Sequence, residues 1–293
     1  MCSTFDIGTY VLLTGLVKSS HLNGKRGVVR TSPDASTGRQ QIFVDDTRTV
    51  MSVKPSNLSE DELFRRPERE ECPICFMPLS FELDKNSFRV CCGKLLCQGC
   101  VYAIVQNEHS CPCPFCRKSP YKSNEEYIQW LQKLVANKHP LALLQMGLHY
   151  NAGDFVSARN VTKAVELWEE SGHHHAYLNL AYHFRRIGRS DKFRPYLEKA
   201  ATLGNIQART LLGILDQKED RCSLSIKHLT ISAEYGDETA MKLMRVYQDE
   251  KMVTKSEIDT IIKKRDQLKK SSRTSNRKIG EFMFESIGIK NGV

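Results

Sequence analysis

Nine of the eleven cysteines of this chain fall between Cys72 and Cys116. Three pairs have the spacing C-x-x-C, in which two intervening residues form a tight turn that brings both sulfurs to one metal ion. These pairs and two further cysteines are Cys72, Cys75, Cys91, Cys92, Cys97, Cys100, Cys113 and Cys116. Eight thiolates suffice for two tetrahedral zinc sites. The N-terminus lacks the layout of a secretory signal, so we expect an intracellular protein, cytoplasmic or nuclear, whose cysteines bind metal rather than form disulfides.

The segment 72–117 resembles a RING finger, a family in which two zinc ions are cross-braced. The resemblance implies one site made of Cys72, Cys75, Cys97 and Cys100 and another made of Cys91, Cys92, Cys113 and Cys116. A RING usually has histidine two residues after its third cysteine. Lys94 would occupy that slot if Cys92 were third, so the better alignment makes Cys91 third and Cys92 fourth. This looks like the all-cysteine RING of deadenylase-associated ligases, although Cys111 could replace Cys91.

The resemblance also implies an activity, ubiquitin ligation. A RING holds a ubiquitin-charged conjugating enzyme so that a substrate lysine attacks its thioester, and the rate gain comes from orientation rather than from a covalent catalytic residue. The positions that match the family's partner contacts are Ile74, Ile104, Pro114 and Arg117. Alternatively, the two isoleucines pack beside the zinc and the arginine is a surface charge. Zinc with four protein ligands leaves no open site for hydrolysis, and no Ser/His/Asp or Cys/His arrangement indicates another reaction.

Residues 5–58 predict a small β-barrel, because short apolar runs alternate with turn signals such as Asn23-Gly24. Strands are expected at 10–13, 27–29, 41–44 and 49–53. The segment is similar to the SH3-like modules that precede zinc fingers in some eukaryotic proteins. Its aromatic side chains could line a groove for a proline-rich peptide or fill the core; they are Phe5, Tyr10 and Phe43. A charged linker is expected at 59–71.

Small residues run in phase through the second half of the chain. Gly172, Gly204 and Gly236 are spaced by 32 residues, and an alanine follows each of them by four positions. A period near 34 predicts paired helices stacked as a solenoid, with the glycines ending the second helix of each pair. First helices are expected at 141–152, 176–187, 207–217 and 237–248. Second helices are expected at 161–171, 191–203, 221–235 and 254–270, with a half-repeat at 125–137.

The segment 125–270 resembles the Sel-like repeats, relatives of tetratricopeptide repeats, which implies a surface that holds a protein substrate. The sequence departs from the Sel-like pattern in two places. The first repeat is shortened around Trp168–Gly172, and the last repeat has Arg245 where a small residue is expected. At the turn before the second repeat, His173-His174-His175 could bind metal adventitiously. We expect instead that these histidines form a solvated turn.

The net charge of +9 is concentrated at the end of the chain, where residues 251–293 carry eleven Lys/Arg and five Asp/Glu. This distribution is typical of a solvated helix followed by a disordered tail at 271–293, and nucleic-acid binding is the weaker alternative. No apolar run approaches the roughly 20 residues of a membrane span. Together, the patterns favour a three-module ubiquitin ligase with two structural zinc ions, whose partners are a conjugating enzyme and a protein substrate. The rival hypothesis is a non-catalytic scaffold for protein–protein interaction.

Overall fold

The computed structural model describes residues 4–107, 112–154 and 158–271. The chain divides into two compact units. The first, which we call the sheet unit, extends to Arg65 and includes Gln217–Ser223; the second contains the rest of the chain from Arg66 onward. Within the described residues, no helix is both long enough and apolar enough to cross a membrane.

The sheet unit contains one antiparallel sheet of five strands in the order β4-β3-β2-β1-β5. Its strands are β1 (Tyr10–Leu13), β2 (Arg26–Val29), β3 (Gln40–Val44), β4 (Thr49–Val53) and β5 (Leu58–Glu60). The first four strands confirm the predicted positions to within one residue. Their alternating side chains form one apolar core, which consists of Val11, Leu13, Val29, Ile42, Val44, Val53 and Leu58. The SH3-like classification stays a prediction.

All three aromatic side chains considered for a peptide groove have partners inside the sheet unit, and Phe5 packs against its apolar core. Tyr10 is buried, and its ring centroid lies 4.4 Å from that of Phe64. The Phe43 ring is covered by the Arg30 guanidinium at 5.2 Å. Asn23-Gly24 forms the predicted turn, since Gly24 has a φ of 80° and Asn23 Oδ1 accepts a hydrogen bond from the Leu16 amide at 2.8 Å.

The second unit begins with a cysteine-rich part, Cys72–Lys118, which we call the cysteine module. It contains the hairpin β6 (Asn86–Arg89) and β7 (Lys94–Cys97), followed directly by helix α1 (Gln98–Asn107). Ile104 lies on this helix. The module's apolar cluster is small, with Leu79, Leu96 and Val101 as its buried aliphatic members.

Among the described residues that follow the cysteine module, nine further helices form the helical repeats. They are α2 (Asn124–Ala136), α3 (Pro140–Ala152), α4 (Val161–Ser171), α5 (His174–Arg186), α6 (Ser190–Thr202), α7 (Ile206–Lys218), α8 (Cys222–Glu234), α9 (Glu238–Asp249) and α10 (Lys255–Ser271). All nine begin and end within two residues of the predicted bounds, which confirms a solenoid of paired helices. Gly172, Gly204 and Gly236 have φ values of 64°, 96° and 95°, as the predicted left-handed helix ends require.

The small residues permit the close helix packing that the repeat predicts. Ala176, Ala208 and Ala240 are fully buried. A Cβ added at Gly147 would lie 2.5 Å from Trp168 Nε1, and one added at Gly213 would lie 2.8 Å from Leu229 Cγ. Helix pairs α3–α4 and α7–α8 therefore depend on glycine at their contact points.

Candidate metal centres and the surface beside them

Two groups of four cysteines come together in the cysteine module. They are Cys72, Cys75, Cys97 and Cys100, and Cys91, Cys92, Cys113 and Cys116. Within each group the four sulfurs lie within 4.8 Å of one another. The Sγ atoms are 3.7 Å apart for Cys72 and Cys100. They are 3.6 Å apart for Cys92 and Cys113.

These separations discriminate between a shared metal ion and a disulfide. Zinc–sulfur bonds of about 2.3 Å in a tetrahedron place neighbouring sulfurs about 3.8 Å apart. A disulfide would bring them to about 2.05 Å. Each group can therefore hold one metal ion with four thiolate ligands.

The structure brings together, in each group, the same four cysteines that the resemblance to a RING finger implies. The Cys91–Cys92 pair lies between Cys75 and Cys97 in sequence, yet joins Cys113 and Cys116 in space. The two groups are thus interleaved along the chain. Cys111, the alternative to Cys91, lies outside the described residues, and Cys91 itself belongs to the second group.

Three tight turns carry six of the eight cysteines, whereas Cys97 ends β7 and Cys100 lies on α1; the turns share one backbone pattern. In the first, the Phe76 amide donates to the Cys72 carbonyl at 2.8 Å, and Phe76 has a φ of 56°. In the second, the Arg117 amide donates to the Cys113 carbonyl at 2.8 Å, and Arg117 has a φ of 58°. The third is the β6–β7 turn, where Gly93 takes the left-handed position with a φ of 75°. This conformation exposes amides toward the sulfurs at the cost of strain at two non-glycine residues.

The sulfurs of each group lie in a shared electrostatic environment that affects their ionisation. Burial by itself would raise the pKa of the Cys72 thiol. Backbone N–H groups of Cys97, Cys75 and Ile74 donate to its sulfur and outweigh burial, so the pKa is lowered to about 7. For Cys100, burial and then the neighbouring thiols raise the pKa. Several thiolates in so small a space repel one another. A divalent thiophilic cation removes that repulsion, so the donor set fits such an ion and leaves no coordination position open.

The four residues expected to contact a partner lie around one surface depression of about 550 Å³. We call this depression the docking groove; its named members are Ile74, Ile104, Pro114 and Arg117. Ile74 is 38 % exposed and Pro114 and Arg117 are exposed, whereas Ile104 is half-buried against the module's apolar cluster. The groove thus offers an apolar floor with a guanidinium at its edge.

Sequence reasoning missed the side chain that shapes the loop Ser80–Glu82. Asn86 is buried, and its Nδ2 donates to the carbonyls of Ser80 and Glu82 at 2.8 and 3.0 Å. Its Oδ1 accepts from the Ser80 amide at 3.1 Å. The sequence carries no signal for this role beyond an asparagine at the start of a short strand. The loop that Asn86 holds presents Phe81 to the helical repeats.

Packing joins the cysteine module to the helical repeats within the second unit. Phe88 packs against the core cluster that contains Leu144, Trp168 and Leu180. Val90 is buried in the cluster that contains Leu131. The module and the repeats therefore share apolar cores, a feature that the expected succession of separate domains did not include.

A buried carboxylate ties the segment before Cys72 to the repeats. Glu234 is 4 % exposed and accepts two hydrogen bonds from Arg66, at 2.9 and 3.0 Å. Lys264 donates to the same carboxylate at 2.9 Å. Burial opposes ionisation, but the hydrogen bonds from Arg66 and Lys264 outweigh it and lower the pKa of Glu234. Next to it, Tyr235 Oη donates to the Pro67 carbonyl at 3.0 Å.

The three histidines do not form a solvated turn, so that prediction is wrong. The rings of His173 and His174 stack with centroids 4.2 Å apart, and those of His174 and His175 lie 4.3 Å apart. His175 Nε2 lies 3.0 Å from the Phe81 carbonyl oxygen, and Asn205 Nδ2 lies 3.2 Å from His174 Nδ1. Burial, with the neighbouring rings, lowers the pKa of His173 to about 3 and that of His174 to about 2. They are packing residues at the contact with the cysteine module.

Comparisons with known proteins cover parts of the chain. No family model matches it. Over 74 residues, 25% of this chain, it is 39% identical to the General negative regulator of transcription subunit 4 of Saccharomyces cerevisiae, and the match spans 11% of that protein. A Sel1 repeat protein from Oxalobacter formigenes matches 58% of this chain and 69% of its own, at 15% identity and a TM-score of 0.43. A protective antigen of uropathogenic Escherichia coli strains displaying an SLR fold matches 63% of this chain and 43% of its own, at 17% identity and a TM-score of 0.39.

Proposed function

We propose that this protein is a zinc-binding, RING-type ubiquitin ligase whose helical repeats hold a protein substrate. The observation that carries the proposal is the pair of interleaved four-thiolate groups directly beside the docking groove. The thiolate sets suit zinc, and four sulfurs per ion make the ions structural rather than catalytic. Bound zinc would hold the tight hairpins that display Ile74 and Pro114.

The chain's own residues would act by binding and orientation. Ile74, Ile104 and Pro114 provide an apolar surface for a conjugating enzyme, and the Arg117 guanidinium provides several donors in a rigid fork for carbonyls of the enzyme and of ubiquitin. The substrate lysine then attacks the thioester, an isopeptide bond forms and the enzyme's thiol leaves. Positioning can account for a large rate gain without any covalent contribution from this chain.

Reconstitution tests the ligase proposal. The purified protein is incubated with activating enzyme, a panel of conjugating enzymes, ubiquitin and ATP, and ubiquitin chains are measured. We expect Ile74→Ala to slow chain formation at least about ten-fold, because a hot-spot truncation costs about 1.4 kcal/mol or more. Ile187→Ala is the matched control, since Ile187 is 53 % exposed and lies outside the docking groove.

Metal analysis tests zinc binding, and the reconstitution distinguishes the ligase from the scaffold hypothesis. Mass spectrometry of the intact reduced protein should give two zinc ions per chain. Two zinc ions with no chains from any conjugating enzyme would favour the scaffold hypothesis, in which the groove docks a partner without catalysis. If Ile74→Ala leaves the formation of ubiquitin chains unchanged, the docking groove is not the surface that binds the conjugating enzyme.

A further inference from the structure

Polar side chains of two neighbouring first helices line a small cavity in the helical repeats, which we call the amide cavity. Its volume is about 140 Å³, which suits one small side chain, since pockets for whole small molecules measure about 300–1,000 Å³. The buried Trp168 of α4 forms part of its wall. Its polar members are Asn151 of α3 and Asn179, Tyr182, His183 and Arg186 of α5. The four on α5 stand three, four and seven positions apart, so one face of that helix provides most of the polar wall.

These polar groups make few bonds within the part of the chain that the structure describes. There, the side-chain amides of Asn151 and Asn179 and the guanidinium of Arg186 have no hydrogen bond or ion pair. Tyr182 Oη accepts a hydrogen bond from Gln207 Nε2 at 3.0 Å, which leaves its own proton free to donate. The wall of the cavity therefore presents several hydrogen-bond donors that the described chain does not use.

The amide cavity also carries positive charge that no acid in it balances. Arg186 is the one cation among its described lining residues, which include no aspartate or glutamate. Burial, and then the Arg186 charge, lower the pKa of His183, so that ring is neutral at neutral pH. Its Nδ1 is buried and has no hydrogen-bond partner among the described residues. One fixed positive charge among neutral donors matches a monoanion that only accepts hydrogen bonds, and a carboxylate is such a group.

We propose that the amide cavity binds a carboxylate of a partner protein, from an acidic side chain or from the end of its chain. Arg186 and the amides of Asn151 and Asn179 donate to the two carboxylate oxygens, which offer about four acceptor positions. Two packed helices carry these donors, so little ordering is required on binding. The binding itself does not depend on ligase activity. Its consequence rests on the proposed function: the repeats would favour substrates that present a carboxylate at this point.

Four probes titrated into the full-length protein test the site. Acetyl-Ala-Glu-Ala-amide carries only a side-chain carboxylate, acetyl-Ala-Gln-Ala carries only a terminal one, and acetyl-Ala-Gln-Ala-amide carries neither; inorganic phosphate is the fourth probe. Nuclear magnetic resonance follows the side-chain amide signals of Asn151 and Asn179. We expect at least one carboxylate peptide to shift these signals and to bind at least about ten-fold more tightly than the neutral peptide. The peptide that binds identifies the source of the carboxylate.

Arg186→Gln should weaken this binding at least about ten-fold, because it removes the charge that the carboxylate contacts. Arg186 is exposed, so the variant should fold, and circular dichroism checks its helices. Arg185→Gln is the matched control. The Arg185 guanidinium lies 5.5 Å from the centre of the Phe193 ring and is not part of the cavity wall, so this variant should change the affinity less than about two-fold.

Three results would overturn the proposal. One is that neither carboxylate peptide shifts the amide signals at about 10 mM, or that the neutral peptide binds as tightly as they do. Another is binding that Arg186→Gln leaves unchanged in a protein with intact helices. The third is inorganic phosphate that binds at least as tightly as the carboxylate peptides, because the cavity would then attract anions in general.

The titrations contain no conjugating enzyme, so they separate this site from the ligase proposal. Peptide binding by a protein without ligase activity would contradict the proposed function and keep the carboxylate site, whereas ligase activity without peptide binding would do the reverse. In an active ligase, Arg186→Gln should leave discharge of the conjugating enzyme onto free lysine unchanged, because the residue lies outside the docking groove.

Discussion

The cysteine module and the helical repeats share one unit, but different forces stabilise them. The module's own apolar cluster buries Leu79, Leu96 and Val101, and its further buried residue Val90 belongs to a core that it shares with the repeats. The repeats bury continuous clusters, such as the one that contains Leu144, Trp168 and Leu180. We expect a region with so small an apolar core of its own to depend for its fold on metal bound by the thiolate groups, whereas the repeats depend on burial and on close helix contacts.

Removing the metal should produce the largest effect and should separate the two regions. Structural zinc contributes about 10–16 kcal/mol in small domains, so a chelator or Cys97→Ser should unfold the cysteine module. The repeats should survive, with faster exchange in α3 and α5 because they lose the packing of Phe88. Hydrogen exchange with and without the chelator measures both changes. Cys222→Ser, outside both groups, is the control, and protected amides in a metal-free β6–β7 hairpin would contradict this dependence.

Gly147→Ala tests whether the helical repeats depend on close contact between helices α3 and α4. The added Cβ would lie 2.5 Å from Trp168 Nε1 on the facing helix, so one of the two helices must shift. Overpacking of this kind costs about 1–3 kcal/mol in free energy of unfolding. Denaturant unfolding measures it, and the exposed Gln132→Ala in α2 should change the value by less than about 0.5 kcal/mol. A neutral Gly147→Ala would mean that the helices do not approach as closely as the repeat pattern predicts.

Glu234→Gln tests how firmly the segment before Cys72 is joined to the helical repeats. The substitution keeps the shape but removes the charge that Arg66 and Lys264 share, and hydrogen bonds to charged groups contribute about 1.5–3 kcal/mol in favourable cases. Both cations are about half exposed, so we expect about 1 kcal/mol, decreasing with salt. Glu166→Gln, in an exposed pair with Lys163, is the control and should cost less than about 0.5 kcal/mol. If the two variants lower the free energy of unfolding equally, the buried carboxylate of Glu234 stabilises the fold no more than an exposed ion pair does.

Acidification should give the smallest effect near neutral pH. The pKa values of His173 and His174 are lowered to about 3 and about 2, so the unfolded chain binds more protons once the pH falls below about 6.5. Their contribution to stability is complete above that pH and is lost progressively as the pH falls toward 3. Thermal unfolding at pH 7.5 and 5.5 should show a smaller loss for His174→Gln than for the wild type. His21→Gln, at an exposed position, is the control and should lose as much thermal stability between pH 7.5 and 5.5 as the wild type. If His174→Gln also loses as much as the wild type, the histidine cluster is not the source of the pH dependence.

Local patterns predicted most of the elements. The in-phase glycines and alanines located all nine repeat helices, because helix ends and helix contacts impose short-range requirements on residue size. Cysteine spacing predicted the three C-x-x-C pairs of the thiolate groups, because a two-residue gap leaves little freedom to the sulfurs. The places of Cys91 and Cys92 came from the resemblance to a RING finger, with Cys111 as an alternative to Cys91. The histidine run showed the limit of such reasoning. Its residue types indicated a solvated turn, but the loop Ser80–Glu82, about ninety residues earlier in the chain, covers the histidines.

By itself, the sequence determined the repeat period, the positions of the first four strands and of the repeat helices, and the C-x-x-C pairs whose sulfurs can share a metal ion. Only the tertiary structure decided that Phe88 enters the core of the repeats and that Glu234 receives Arg66. It also decided that Asn151 and Arg186 line one cavity. The physical reason is range: helix caps and cysteine turns act over a few residues, whereas burial and charge pairing depend on partners that only the folded chain brings together.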